Sequence, residues 1–300
     1  MTDTLKLQTT SYISSARLYS GDTESERDSL YNELGEVEVS TIGSSVKPGP
    51  NEDSAAVIPI DKQALVLIVA DGVGGLAGGR AASNMAVDEM KKALKGATAE
   101  NLRTAILDGI ETANAKILTQ GKGNATTITV AEVRPGSIRS YHVGDSAIWV
   151  CGQRGKVKLQ TTAHSPVGFA VEAGLLKETE ALNHDHLHLI SNVVGSADMR
   201  IEIGSELPIA SRDTLLLASD GLFDNLMQHE IVRIIRKGPL NQAMTAVTDL
   251  SLKRMHEPTA GRPSKHDDFT AILYRQPPKK RKPRAKRAKP DKPEAEPSGK

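Results

Sequence analysis

The sequence predicts an α+β fold with helices layered on β-sheets, because its strand signals form meanders that are interrupted by pairs of helices. Segments rich in Val, Ile and Thr mark strands at 54–60, 64–70, 125–133, 138–143, 147–151, 213–218 and 269–274. Apolar residues at helical spacing mark helices at about 80–94 and 99–118, and a second pair at 225–236 and 241–256. No internal repeat of fixed period is present.

Bulk properties narrow the class. The chain has 300 residues, 38% hydrophobic and 25% charged, which supplies a full core for one large domain or two small ones. Aromatics amount to only 3%, so recognition of bases by stacking is not expected as the main activity. The longest apolar run, Ala64 to Ala70, is too short to span a bilayer, and no apolar signal region opens the chain. A single cysteine, Cys151, excludes an internal disulfide framework and suits a reducing compartment. A cytoplasmic monomer without a transmembrane segment is the expectation.

The net charge of +1 hides an asymmetry. Residues 276–300 carry ten Lys/Arg against three Asp/Glu, or +7, which leaves −6 for residues 1–275. This tail is rich in Pro and Ala and has no apolar periodicity, so disorder is expected there. The chain is therefore divided into a short tail (1–7), a folded domain (8–275) and a basic arm (276–300). Such an arm suits an acidic protein, a nucleic acid or an anionic membrane surface.

Two strands carry the chemistry. The stretches Leu65 to Gly72 and Leu215 to Gly221 each read as a buried strand stopping at Asp-Gly, with Asp71 and Asp220 as the acids. A strand buried on both faces delivers such a carboxylate at its end, and the Gly lets backbone approach a ligand closely. One Asp-Gly is usually only a turn. Here Glu52-Asp53 and Asp267-Asp268 add two further acidic pairs, each immediately before a strand. Four carboxylate sites at strand termini suit an oxygen-rich site for hard cations such as Mg²⁺ or Mn²⁺. Two such ions would activate a water and clamp a phosphoryl group.

In order along the chain stand Asn51-Glu52-Asp53, Asp71-Gly72-Val73-Gly74-Gly75, Gly144-Asp145-Ser146, Ser219-Asp220-Gly221-Leu222-Phe223-Asp224 and Asp267-Asp268-Phe269-Thr270. Together these resemble the protein phosphatase 2C family, of bacterial or organellar-like type, from about residue 45 to 274. The resemblance implies a four-layer α/β/β/α sandwich of two antiparallel sheets flanked by helix pairs, with the cleft at one end of the sheets. It implies that Asp71 bridges two Mn²⁺ or Mg²⁺ ions and that the Gly72 carbonyl binds one. Asp53, Asp220 and Asp267 would complete the pair, with Glu52 acting through bound water. Asp145 and Asp224 match positions linked to a third, weaker metal. The implied activity is hydrolysis of phosphoserine and phosphothreonine in proteins by a metal-activated water, and a Ser/Thr kinase or its targets would be partners.

Three positions depart from the family. Its phosphate-binding Arg is replaced by Pro48, which offers no side-chain donor and no N–H. Lys47 is the nearest cation and the candidate substitute, as a point charge in place of a bidentate fork. Val73 stands where the best-known eukaryotic members carry a His, and Ala147 stands where Arg is usual. These changes support an alternative, a weakly active phosphatase fold that recruits partners through its basic tail.

Two other readings compete. Residues 72–77 formally match the dinucleotide pattern G-x-G-x-x-A, but no second strand ending in an acid follows about 20 residues on. His184, His186 and His188 would share one face if their stretch were a strand, a spacing that suits zinc, although a polar flap surface accounts for them as well. His142 and His164 read as structural. The flap between Ala163 and Asn192, the expected specificity element, shows no legible chemistry of its own.

Overall fold

The computed structural model describes residues 10–21, 25–46, 49–73, 77–121, 123–182 and 184–277. Two seven-stranded sheets form the centre. One contains, in spatial order, β1 (Ser11–Tyr12), β3 (Ser25–Asn32), β4 (Gly35–Ile42), β16 (Phe269–Arg275), β15 (Thr214–Ala218), β11 (Ala147–Cys151) and β12 (Val157–Gln160). The other runs β13 (Glu202–Ile203), β10 (Ser137–Val143), β9 (Ile128–Arg134), β6 (Ala64–Ala70), β5 (Ser54–Asp61) and β2 (Arg17–Tyr19), with β14 (Leu207–Pro208) beside β10. A two-stranded ribbon of β7 (Gly72–Val73) and β8 (Ala125–Thr126) stands apart. Apart from the parallel edge pair β1–β3, the pairings among described residues are antiparallel.

The two-residue period of β6 explains the layering. Leu65, Leu67 and Val69 face the other sheet, where they meet Val39, Leu217 and Ile272 in the central core. Val66, Ile68 and Ala70 face outward and pack under α1 (Ala77–Ala93) and α2 (Leu102–Thr119), against Met90, Ile106 and Ile110. On the opposite side Leu216, Ala218 and Leu273 pack under α6 (Gln228–Ile235) and α7 (Leu240–His256), against Ile231, Met244 and Val247. Three apolar layers thus separate four layers of secondary structure, the α/β/β/α sandwich. No helix among the described residues is long and apolar enough to cross a membrane.

Where the elements depart from expectation, the cause is local. The strand expected at 125–133 is broken at Thr127, which leaves the ladder to bond the backbone of Asp71. The helix expected at 225–236 begins only at Gln228, and a short α5 (Asp220–Phe223) precedes it. Four strands lie before residue 43, where no strand was expected. One of them, Ser25–Asn32, is largely polar and near the sheet edge, so alternation is weak. The flap contains α3 (Pro166–Glu172), capped by Ser165 Oγ accepting from Gly168 N at 2.9 Å, and α4 (Glu178–Ala181).

The central core should dominate stability. Leu67→Ala removes a fully buried side chain between the sheets and is expected to cost about 3 kcal/mol, lowering Tm by roughly 6–12 °C. Leu175→Ala, at a residue 83% exposed, should leave Tm within about 1 °C. Differential scanning calorimetry of both variants checks this contrast.

Candidate metal centre

Asp71 follows the last residue of β6, and its backbone is held on both sides. Its N–H donates to Thr127 Oγ1 at 3.0 Å, while its carbonyl accepts from Thr127 N at 2.8 Å and Thr126 Oγ1 at 2.7 Å. Thr127 Oγ1 also pairs with Ser146 Oγ at 2.7 Å, which ties the Gly144-Asp145-Ser146 turn to the same point. Gly144 has φ 105°, and a Cβ there would lie 2.6 Å from the Thr127 side chain, so only glycine fits.

Asp53 is buried and is aimed by two neighbours. Its N–H donates to Asn51 Oδ1 at 2.9 Å, and its Oδ2 accepts from Ser219 Oγ at 2.7 Å. Ser219 Oγ in turn accepts from Thr270 N at 3.1 Å, so the β15–β16 pair of one sheet positions a carboxylate that stands just before β5 of the other. The Glu52 carbonyl accepts from Gly72 N at 3.2 Å and Ser83 Oγ at 2.6 Å. A side chain at Gly79 would come within 2.6 Å of Glu52 Oε1 and 2.7 Å of the Gly72 carbonyl oxygen, so the first turn of α1 closes over this corner.

The pair Asp267-Asp268 divides its labour. Asp268 accepts from Ser44 N at 2.8 Å and Glu52 N at 2.9 Å, which fastens the 44–52 segment. Asp267 faces the cleft, 3.1 Å from Lys265 Nζ. Lys265 was not singled out in the sequence. Its ammonium also reaches Asp220 Oδ2 at 2.5 Å and Asp224 Oδ2 at 2.9 Å, acids one helical turn apart. Asn225, fully buried, exchanges hydrogen bonds of 2.8 and 2.9 Å with the Lys265 backbone.

The structure therefore brings Asp53, Asp71, Asp145, Asp220, Asp224 and Asp267 to one cleft, with Glu52 and Gly72 at its edge. Lys47 and Pro48 lie outside the described residues, as do Gly74 and Gly75. Burial and the charges of Asp53, Asp220, Asp145 and Asp267 push Asp71 well above the usual carboxylate range. Burial and Asp268 do the same to Asp53, against the hydrogen bond from Ser219. Burial, Asp220 and Asp224 lift Asp145 to about 8, and burial and Asp220 lift Asp224 to about 7, with Lys265 opposing both shifts. Burial disfavours the charge on Lys265, but the surrounding aspartates outweigh it and raise its pKa. Asp145 Oδ1 is buried without a hydrogen-bond partner. Carboxylates crowded, buried and short of donors fit hard divalent cations.

The histidines form no comparable site. His142, His164 and Glu202 lie within ligand reach of one another. However, His164 Nδ1 accepts from Gly144 N at 3.1 Å and Asn192 Nδ2 at 2.9 Å, so its proton sits on Nε2 and is donated to Glu202 at 3.2 Å. His142 Nε2 is 2.9 Å from the Thr162 carbonyl and must donate to it. Both lone pairs a metal would need are thus replaced by protons, and burial keeps His142 neutral. The two stacked rings, 4.4 Å apart, clasp the base of the flap. His184, His186 and His188 lie in a turn, with Leu187 N bonded to the His184 carbonyl, so the strand that would align them on one face is not formed. The dinucleotide reading fails as well: β6 pairs antiparallel with both neighbours, and the described residues form no parallel βαβ unit there.

Comparison with known proteins agrees with this architecture. The family model described as Protein phosphatase 2C matches residues 45–257. Serine/threonine phosphatase stp of Listeria innocua is 29% identical over 197 residues, 62% of this chain and 77% of that protein. The S. agalactiae serine/threonine phosphatase structure superposes with a TM-score of 0.69 at 28% identity, covering 80% of this chain and 99% of that one. The catalytic domain of the serine/threonine phosphatase PstP, in complex with two manganese ions, shares the fold at 20% identity with a TM-score of 0.64, covering 81% and 99%. The chain belongs to the protein phosphatase 2C family. It is a serine/threonine protein phosphatase.

Because burial and neighbouring carboxylates disfavour the charge on Asp71 in the metal-free fold, Asp71→Asn should raise Tm in excess chelator. The sign follows from linkage. An acid whose folded pKa lies above its unfolded value costs stability as pH rises past the unfolded value, so the gain should grow from pH 5 to pH 8. Thermal melts at the two pH values check both statements.

Proposed function

We propose that this phosphatase hydrolyses phosphoserine and phosphothreonine in proteins at a dinuclear Mn²⁺ or Mg²⁺ site. The observation that carries the reading is the convergence of six aspartates, delivered by separate strand ends and turns, on one cleft. The two manganese ions carried by the PstP catalytic domain support it. Asp71, the Gly72 carbonyl, Asp53, Asp220 and Asp267 would hold the ions, with Glu52 acting through bound water. When bound, the ions supply Lewis acidity toward water and charge neutralisation toward the phosphoryl oxygens.

The chain's own residues do the positioning. Ser219 fixes which oxygen of Asp53 faces the cleft, Thr126 and Thr127 fix the Asp71 backbone, and Asp268 fixes the segment that carries Glu52. Rigid placement of this kind is what phosphoryl transfer requires, since most of its catalysis is electrostatic and geometric. Lys47 is assigned on the family register alone as the cation toward the incoming phosphate. The basic residues 276–300 are assigned to an acidic or polyanionic partner, and the protein to the cytoplasm.

Turnover of a phosphoserine peptide should require Mn²⁺ or Mg²⁺ and stop in excess chelator. Asp71→Asn and Asp220→Asn should each lower kcat by several orders of magnitude with the circular dichroism spectrum unchanged. Full activity in chelator would overturn the reading.

A further inference from the structure

A cavity of about 470 Å³ opens beside the acidic cluster, between the flap and the β11–β12 edge of the sheet. Its inner end is formed by Asp145, Asp220 and Asp224, which it shares with the cluster. The remainder is mostly apolar, with Trp149, Phe223 and Leu226 on the sheet side and Val167, Val171 and Leu187 on the flap side. Trp149 and Phe223 pack with ring centroids 4.9 Å apart, so that wall is preformed. No Lys or Arg is among the residues that line it, so it offers an acidic group no partner, and its volume is that of a ligand pocket.

We propose that this cavity is the subsite for an apolar side chain next to the phosphorylated Ser or Thr of the substrate. The position of that side chain rests on the phosphatase reading, because the shared carboxylates place the cavity beside the phosphoryl site. The substrates are then phosphoprotein segments with Leu-like neighbours rather than acidic ones.

Trp149 is the only tryptophan of the chain, so its emission reports on the cavity without turnover. The test titrates the full chain in chelator with two unphosphorylated Ser peptides, identical except that Leu or Asp flanks the Ser on both sides. The Leu peptide should shift Trp149 emission saturably, with a Kd about tenfold or more below that of the Asp peptide. Val171→Glu should abolish the shift while keeping the wild-type Tm. Equal responses to the two peptides, or no response to the Leu peptide, would overturn the assignment. The experiment involves no metal and no hydrolysis, so it fails or succeeds separately from the metal-dependent turnover.

A different observation carries a second inference. Lys265 is built into the cluster, with its backbone locked to the buried Asn225 and its ammonium bonded to Asp220, Asp224 and Asp267. It uses one oxygen, Oδ2, of each of these carboxylates. The ammonium therefore occupies the side of the cluster that Asp220, Asp224 and Asp267 form.

The geometry points to Lys265 as a fixed cation that fills the Asp220–Asp224–Asp267 side of the cluster, so that divalent ions enter only the remaining part, around Asp53 and Asp71. The test is an equilibrium titration of the metal-free full chain with Mn²⁺, counting bound ions by the paramagnetic resonance of free Mn²⁺. Wild type and Lys265→Arg should bind two ions, and Lys265→Met should bind three. Three ions on the wild type would overturn the inference whether or not the variants fold, and two on a folded Lys265→Met would overturn it as well.

Discussion

Six aspartates drawn into one poorly hydrated cleft repel one another, and the rest of the site is arranged around that constraint. At about 4 Å and an effective dielectric of 20, each like-charged pair costs about 4 kcal/mol. The raised pKa values of Asp53, Asp71, Asp145 and Asp224 express that cost, and one ammonium, Lys265, offsets only part of it. Such a cluster persists because the surrounding framework over-determines it. Two sheets bury three apolar layers, and the strand ends that carry the acids cannot withdraw without disrupting those layers.

The hydrogen bonds around the cleft follow the same logic. Ser219, Thr127 and Asn51 are buried polar residues whose partners are the acids themselves or the backbone that carries them, and the buried Asn225 holds the backbone of Lys265. Asp268 illustrates how narrow the division is: it sits next to Asp267 in sequence, yet it accepts from Ser44 N and Glu52 N and serves as a brace. Close approaches complete the packing, since a Cβ on Gly221 would run into the carbonyl of Asp268.

Much of this was legible in the sequence because the signal was strong where burial was strong. The strand Ala64–Ala70, buried on both faces, has the bounds its apolar run suggested, and Ala147–Cys151 likewise. The acids at strand ends stood out because they interrupt apolar runs at Asp-Gly. What stayed hidden lacked periodicity. The polar strand Ser25–Asn32 near a sheet edge, the short flap helices and the two-residue strands carry too few apolar residues to announce themselves. Lys265 was hidden for another reason: a lysine in a loop is ordinarily solvated, and only the fold brings it and the nearby Asp267 against Asp220 and Asp224, which are distant in sequence. The positioning roles of Thr127 and Ser219 were likewise invisible, because positioning by a hydroxyl leaves no spacing pattern.

The central claim is that the crowded carboxylates around Asp71 exist to hold divalent cations. Anomalous diffraction from crystals of the protein grown with Mn²⁺ tests it most directly. The expected result is a pair of manganese peaks within coordination distance of Asp71, held among Asp53, Asp220 and Asp267. Difference maps without manganese at Asp71, at Mn²⁺ concentrations that support turnover, would contradict it.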